Sequence, residues 1–112
     1  MSKKMRNYRG DKALWALYCR INKAYFGDQL QVPFELKFKK MKYDGHTLFM
    51  TSGVVKVYIH EDFDGHFDVA EMILLHEMIH VHLGWEYRGS HGMRFEAEKV
   101  RLFMAGAYDK IL

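Results

Sequence analysis

The sequence predicts an α+β fold, and three observations support this class. Apolar residues recur at helical spacing in one segment near the amino terminus and in two segments of the second half of the chain. Three short runs with the composition of β-strands lie between the first of these segments and the second. No repeat or low-complexity tract interrupts the order helix, three strands, helix, loop, helix. This order predicts a three-stranded antiparallel or mixed sheet flanked by helices.

The first element is predicted to be an amphipathic helix over residues 12–26. Asp11 can cap its amino end, and Gly27 can end it. Because the apolar residues of this segment recur at helical spacing, one face of the helix should be buried. That face consists of Leu14, Leu17, Tyr18, Ile21 and Tyr25.

Three strands are predicted after this helix. Apolar and charged residues alternate over residues 34–39, which indicates a half-buried strand. Residues 46–51 and 54–59 form two further strand-like runs, separated only by Ser52-Gly53. Since a two-residue loop containing glycine suits a tight turn, the two runs are expected to form a hairpin.

Two more helices complete the predicted fold. Asp68 followed by Glu71 has the spacing of a capping box, which predicts a helix over residues 69–83 that stops at Gly84. After a loop over residues 85–90, a last helix has an apolar stripe. Its members are Met93, Ala97, Val100 and Met104. Methionines at helical spacing are expected in the core, namely Met72, Met78, Met93 and Met104.

Size and composition bound the class of protein. The 112 residues, of which 49% are hydrophobic and 28% charged, predict one globular domain over residues 1–112. The longest stretch without Asp, Glu, Lys or Arg has eleven residues, 45–55, which is far too short to span a membrane. No apolar segment follows the basic start, so a signal peptide is not expected. Cys19 is the single cysteine, which excludes a cysteine-based zinc cluster and favours a reducing, cytoplasmic setting, where we expect a monomer.

The charge is distributed unevenly along the chain. Residues 1–45 hold eleven Lys and Arg against four Asp and Glu, whereas residues 46–91 hold two against seven. All seven histidines fall in the acidic middle segment. Histidine beside carboxylate is the composition of a transition-metal site, and a basic front half suggests either an anionic partner or a solvated lysine-rich face.

The pattern with the clearest chemistry is His76-Glu77-Met78-Ile79-His80. On a helix the two histidines are four residues apart, so their imidazoles project to one side and can bind one metal ion. Glu77 lies about 100° around the helix from His76, beside the metal, where it suits a general base acting on a metal-bound water. The structural alternative is a pair of core histidines satisfied by hydrogen bonds.

Catalytic zinc takes three protein ligands and keeps a fourth position open. His82 lies about 200° around the helix from His80 and should point away from the pair. We choose His91 as the third ligand, because Gly84 and Gly89 let the intervening loop double back; His66 is the second choice. The remaining histidines, His46, His60 and His82, are expected at the surface or near the site without binding the metal.

A second motif, His91-Gly92-Met93-Arg94-Phe95, follows the first after a short loop. Together the two motifs resemble the SprT-like metalloprotease domain, the family that includes Spartan. The resemblance covers about residues 12–105. It extends to Ile21-Asn22-Lys23-Ala24-Tyr25-Phe26 with Leu30, and to Leu74-Leu75 directly before His76.

The resemblance implies a small zincin-like fold, zinc bound by His76, His80 and His91, and Glu77 as the catalytic acid and base. It also implies an endopeptidase linked to DNA, since Spartan-type members cleave proteins crosslinked to DNA, with single-stranded DNA held by the basic front half. The chain ends at Leu112 and lacks the cysteines of a carboxyl-terminal zinc ribbon. Two alternatives stay open: a non-proteolytic zinc-bearing module that binds a protein, and a protease with a dedicated protein target and no DNA role.

Several other residues have two interpretations. Trp85 is expected to plug the core, although with Tyr87 and Arg88 it could wall the cleft or stack on bases. Tyr87 or Arg94 could stabilise an oxyanion, with a structural role as the alternative. A phosphate-binding surface or a solvated face could be formed by Lys37, Lys39, Lys40, Lys42, Arg6, Arg9 and the amino-terminal lysines.

Overall fold

The computed structural model describes residues 9–111, and side chains from residue 10 onward. Helices and strands follow the predicted order, and the α+β class is confirmed. The helices are α1 (Lys12–Tyr25), α2 (Phe67–Leu83) and α3 (Met93–Met104). The strands are β1 (Arg9–Gly10), β2 (Glu35–Lys39), β3 (Gly45–Phe49) and β4 (Val55–His60).

The sheet is mixed, with the strand order β1-β2-β4-β3. Strand β2 is parallel to both of its neighbours, β1 and β4, whereas β3 is antiparallel to β4. The three longer strands are the three that the sequence predicted. Because β3 pairs with β4 alone in the described part of the chain, it forms one edge of the sheet.

The hairpin between β3 and β4 has a wider loop than predicted. Both strands form, but β3 ends at Phe49 and β4 begins at Val55. The turn is closed by the Gly53 amide, which donates to the Met50 carbonyl at 2.9 Å. Gly53 has a φ of +92°, a conformation that glycine adopts readily. Because the Met50 amide donates to the Val54 carbonyl at 2.8 Å, the loop has three residues, 51–53, instead of the two expected at Ser52-Gly53.

Helix α1 forms as predicted. Asp11 accepts a 3.0 Å hydrogen bond from the Leu14 amide, which satisfies one of the free amides of the first turn. The helix ends at Tyr25, two residues before Gly27. Its buried face packs beneath the sheet and contains Leu14, Trp15, Leu17, Tyr18 and Ile21.

Helix α2 begins earlier than predicted, and the predicted capping box is wrong. The helix starts at Phe67, so Asp68 lies inside its first turn and His66 occupies the cap position without a side-chain capping bond. Asp68 can still interact favourably with the positive end of the helix dipole. The other end is confirmed, because Gly84 follows the last residue with a φ of +84°.

Helix α3 turns a different face to the core than predicted. Phe95 and Leu102 are its buried residues, whereas Met93 is 90% exposed and Met104 is 78% exposed. The larger Phe95 ring packs against three histidine rings, and this contact orients the helix. The predicted stripe is therefore on the exposed side, and of the four methionines expected in the core only Met78 is fully buried. The exposed or half-exposed members of both sets are Met72, Met93, Ala97, Val100 and Met104.

Among residues 9–111, no helix combines the length and the apolar character that crossing a bilayer requires.

Candidate metal centre

Three histidine side chains converge at the carboxyl-terminal half of α2. His76 and His80 lie one helical turn apart, with ring centroids 5.1 Å from each other. The loop after α2 doubles back, and His91 joins them with its ring 5.1 Å from His76 and 4.9 Å from His80. One nitrogen of each ring lies within 4.8 Å of the others. The sequence anticipated this convergence, while its second choice, His66, precedes α2 and is not part of the cluster.

The donor set fits a divalent transition metal. The Nε2 atoms of His80 and His91 are 3.0 Å apart. In a tetrahedral zinc site with bonds of about 2.0–2.1 Å, two ligand nitrogens are separated by roughly 3.3 Å, so a small adjustment admits the ion. Three neutral imidazoles are also a ligand type that zinc accepts. These residues are therefore close enough to bind a metal ion, and their chemistry suits zinc.

The alternative of hydrogen-bonded core histidines accounts for one contact of the cluster, since His80 Nε2 and His91 Nε2 lie 3.0 Å apart, which is a hydrogen-bond distance. His80 is buried, yet its Nδ1 atom has no hydrogen-bond partner among the described residues. Phe95 packs against all three rings at 4.7–4.9 Å and holds them in place without offering a polar contact.

The surroundings of His76 and His80 favour their neutral imidazole forms. Burial lowers the pKa of His76, and His91 and Lys99 lower it further. Burial likewise lowers the pKa of His80 to about 4, with contributions from the neighbouring histidines. A neutral imidazole has a free lone pair, which is the form that binds a metal. At neutral pH, His76 and His80 can therefore bind a cation without first losing a proton.

Glu77 lies beside the three histidines on the same helix and is only 5% exposed. Thr47 on the edge strand β3 donates a hydrogen bond of 2.6 Å from its Oγ1 to Glu77 Oε1. Burial raises the pKa of Glu77 to about 7, and the bond from Thr47 opposes this rise. A carboxyl group that titrates near neutral pH can both accept and return a proton.

Gly45, at the start of β3, lets the strand backbone approach this carboxylate. A Cβ atom at position 45 would lie 2.7 Å from Glu77 Oε2 and 2.6 Å from Ile73 Cγ2. Both distances are shorter than real Cβ contacts, so only glycine fits without a shift of its neighbours. Gly45 and Thr47 are two residues apart and therefore share one face of β3. Sequence reasoning missed both, because their relation to Glu77 depends on how the hairpin packs against the helix.

The three histidines and Glu77 line an open cleft of about 630 Å³. Its opposite wall is β3, and its end is formed by the loop that follows α2. His46 also lines the cleft, with its ring stacked on Tyr43 at 6.0 Å. His60 and His82 lie elsewhere, as expected: His82 faces Glu98 at 3.7 Å, and His60 accepts a hydrogen bond from the Asp62 amide.

The loop residues take roles different from those favoured by the sequence. Trp85 does not plug the core: it is 49% exposed and lines the cleft together with Arg88. Arg94 stacks on the ring of Tyr87 at 4.8 Å, and neither residue lines the cleft. An oxyanion role for Tyr87 or Arg94 therefore has no support from this arrangement.

The basic residues of β2 make local contacts on the face opposite the core. Lys37 pairs with Glu35 at 3.3 Å, and Lys39 lies over the ring of Tyr58 at 4.4 Å. Leu36, between them in sequence, is buried. The amino-terminal lysines, Arg6 and the side chain of Arg9 lie outside the described part of the chain.

Comparisons of the chain with models of known protein families, with curated proteins and with solved structures found no match. The resemblance to SprT-like domains therefore stays a prediction from the two histidine motifs. The convergence of His76, His80 and His91, by contrast, is a property of the structure.

Proposed function

We propose that this protein is a zinc-dependent endopeptidase of the SprT-like type with a zincin-like fold. The observation that carries the proposal is the juxtaposition of three convergent imidazoles and one buried carboxylate in an open cleft. A site of this composition is the one that metal-assisted hydrolysis requires. The HExxH motif and His91 supply it from two segments of the chain.

His76, His80 and His91 are the residues that would hold the ion. A zinc ion bound there would supply Lewis acidity, which polarises a carbonyl group and acidifies water. Three protein ligands leave room in the coordination sphere for reacting groups. Phe95 on the far side of the rings keeps the cluster in one arrangement.

Glu77 is the general base in this proposal. Its carboxylate takes a proton from the attacking water and returns that proton to the leaving amine. The bond from Thr47 to Oε1 fixes the orientation of the carboxylate. The backbone of β3 passes close to the other oxygen, Oε2, because position 45 is a glycine without a side chain.

The edge strand offers a place for the substrate. Strand β3 pairs with β4 on one side, and no described residue pairs with its other side. An extended peptide can add to such an edge through main-chain hydrogen bonds. Because β3 also forms a wall of the cleft, a peptide bound there would pass the histidines and Glu77. This arrangement suits an endopeptidase that accepts an unfolded segment.

The proposed setting is cytoplasmic and the proposed substrates are proteins associated with or crosslinked to DNA. Residues 1–45 hold eleven Lys and Arg against four Asp and Glu, which would attract single-stranded DNA. Cys19, the single cysteine of the sequence, is compatible with a reducing compartment. The alternative of a protease with its own protein target and no DNA role differs from this proposal only in the partner.

A second candidate function is a zinc-bearing module that binds a partner protein without cleaving it. The observation that favours it is an apolar groove of about 460 Å³ between α2 and α3. Exposed apolar patches often mark binding surfaces for proteins. The groove shares only His76 with the cleft that contains Glu77. The apolar residues that line it are Met72, Ile79, Phe95, Val100, Phe103 and Tyr108.

One experiment separates these functions. The zinc-loaded protein is incubated with a DNA-binding protein as substrate, with and without single-stranded DNA, and with and without a chelator. Cleavage that requires zinc and increases with DNA supports the main proposal, and zinc-dependent cleavage indifferent to DNA supports the dedicated protease. Bound zinc without cleavage of any protein would instead favour the binding module.

A further inference from the structure

The cleft has an arginine on its wall that the proposed hydrolysis does not use. Arg88 belongs to the loop between α2 and His91, and it lines the cleft with Trp85 and Gly89. Its guanidinium carbon lies 3.4 Å from the centre of the Trp85 ring, so the two planar groups are in contact. This distance is well within the range of a cation–π interaction.

Two further contacts fix this pair against the cleft. Arg88 Nη1 donates a hydrogen bond of 2.8 Å to the backbone carbonyl of Trp85. Trp85 in turn packs edge-to-face on Phe49, the last residue of β3, with ring centroids 6.4 Å apart. The loop is thereby joined to the edge strand on which a peptide substrate would lie. An arginine held in this way loses little conformational freedom when it binds a ligand.

The charges around the cleft indicate which ligand suits Arg88. Of the described residues that line the cleft, Arg88 is the one side chain with a permanent positive charge. Glu77 is the one carboxylate, and it is engaged by Thr47. Apart from Nη1, the guanidinium donors of Arg88 have no partner among the described residues. A planar donor group of this kind matches a carboxylate through two parallel hydrogen bonds.

We propose that Arg88, positioned by Trp85, forms a carboxylate-binding subsite that makes the cleft select peptides with an acidic group near the bond to be cleaved. The effect of this subsite on cleavage rests on the proposed endopeptidase function, whereas binding of a carboxylate to Arg88 does not depend on cleavage. The carboxylate can come from an Asp or Glu side chain or from the end of a peptide chain. Nucleic acid, whose phosphates and bases could also contact an arginine and a tryptophan, is the competing occupant.

The test uses short peptides in matched pairs that differ by Glu against Gln, with both ends capped. A third set has Gln and a free carboxyl terminus. Binding is measured on the zinc-loaded Glu77→Gln protein through tryptophan fluorescence. This signal reports on Trp85, because the only other tryptophan, Trp15, is fully buried. The cleavage rates of the same peptides are measured on the unmodified protein.

We expect Glu peptides to bind and to be cleaved roughly tenfold better than Gln peptides, the size of a hydrogen bond to a charged group. Arg88→Gln should abolish this preference, and Arg88→Lys should reduce it because the planar fork is lost. Arg94→Gln is the matched control. It removes an arginine stacked on a neighbouring aromatic ring outside the cleft, so it should leave the preference unchanged.

Each other outcome has a distinct meaning. If the free carboxyl terminus alone confers tight binding, the subsite stands and its ligand is the chain end. Acid-selective binding that Arg88→Gln abolishes, without cleavage of any peptide, supports the subsite and rejects the endopeptidase function. Cleavage with equal rates for Glu and Gln peptides overturns the subsite and leaves the endopeptidase intact. If Glu and Gln peptides bind equally and single-stranded DNA displaces the bound Glu peptide, this wall of the cleft binds nucleic acid and the carboxylate subsite is rejected.

Discussion

The hydroxyl of Thr47 donates a 2.6 Å hydrogen bond to the carboxylate of Glu77, and this bond joins the edge strand to the helix that carries the HExxH motif. It is the only side-chain hydrogen bond to the Glu77 carboxylate within residues 9–111. The orientation of the proposed general base therefore depends on a residue of another element.

Thr47→Val keeps the shape of the side chain and removes this donor. We expect the free energy of unfolding to fall by about 1–3 kcal/mol, since a buried carboxylate oxygen is left without a partner. Cleavage should fall as well, because the carboxylate loses its fixed orientation. Urea unfolding and a peptide-cleavage assay measure the two effects. Thr47→Ser retains the hydroxyl and should keep most of the stability and most of the cleavage activity. If the serine variant loses as much as the valine variant, the loss is due to packing and not to the hydrogen bond.

Gly45→Ala is expected to displace Glu77. The new methyl group would lie 2.7 Å from Glu77 Oε2 and 2.6 Å from Ile73 Cγ2, so the strand or the helix must shift. Overpacking of this kind costs about 1–3 kcal/mol, and cleavage should be reduced even in the fraction that folds. The double variant with Ile73→Ala relieves one of the two contacts, and its stability is compared with that of Ile73→Ala alone, because Ile73 packs against the core. Activity should stay low, and full recovery of cleavage would contradict the role given to Gly45.

The sequence predicted the helical part of the candidate site better than the rest. Helical spacing determines the relation of His76 to His80, because both belong to one regular element. His91 could be predicted to join them because Gly84 and Gly89 allow the loop after the helix to reverse its direction. Gly45 and Thr47 could not be chosen, because their relation to Glu77 depends on the register and placement of a hairpin far away in sequence.

The errors in the fold have a similar origin. The last helix carries two candidate apolar stripes, and the choice between them depends on which partner the helix meets. Phe95 meets the histidine rings and is buried, so Met93 and Met104 are left exposed. The capping box at Asp68 matched a local rule, but the helix starts earlier, at Phe67. The position of Trp85 just after a helix end predicts a core residue, whereas its contacts with Phe49 and Arg88 keep it on the cleft wall.

Glu77→Gln tests the proposed base directly. The amide oxygen can still accept the bond from Thr47, so the fold and the three histidines should be preserved. Because general acid–base catalysis contributes roughly a hundredfold or more, cleavage should drop by at least that factor. Metal analysis and cleavage of a protein substrate are measured on the same sample. Retained cleavage with retained zinc would remove Glu77 from the reaction.

The bond from Tyr58 to Glu35, 2.6 Å long, predicts a pH dependence of stability far from the metal centre. This bond is the main reason why the pKa of Glu35 is lowered, while burial and the same bond raise the pKa of Tyr58 to about 12. Since the folded state lowers the pKa of Glu35, its contribution is present above the ordinary pKa of about 4.3 and is lost as the pH falls. The contribution of Tyr58 is present below its ordinary pKa of about 10 and is lost as the pH rises towards 12.

Tyr58→Phe should therefore lower the free energy of unfolding at neutral pH, and the difference from the unmodified protein should shrink in acid. Urea unfolding over a series of pH values measures it, and an NMR titration of Glu35 should show its pKa returning towards the ordinary value. A difference that stays constant from neutral to acid pH would mean that the hydroxyl acts through packing alone.

His91→Ala tests whether the remote histidine completes the metal centre. Removing one of three ligands should abolish tight zinc binding, although His76 and His80 remain on their helix. In the unmodified protein zinc should raise the melting temperature, because it binds the folded state, and a chelator should reverse this rise. The variant should melt at one temperature with or without zinc. His82→Ala is the matched control, since His82 lies on the same helix but faces Glu98 outside the cluster, and it should keep the zinc-dependent rise. Full zinc occupancy of the His91→Ala protein by elemental analysis would exclude His91 as a ligand, and with it the three-histidine centre.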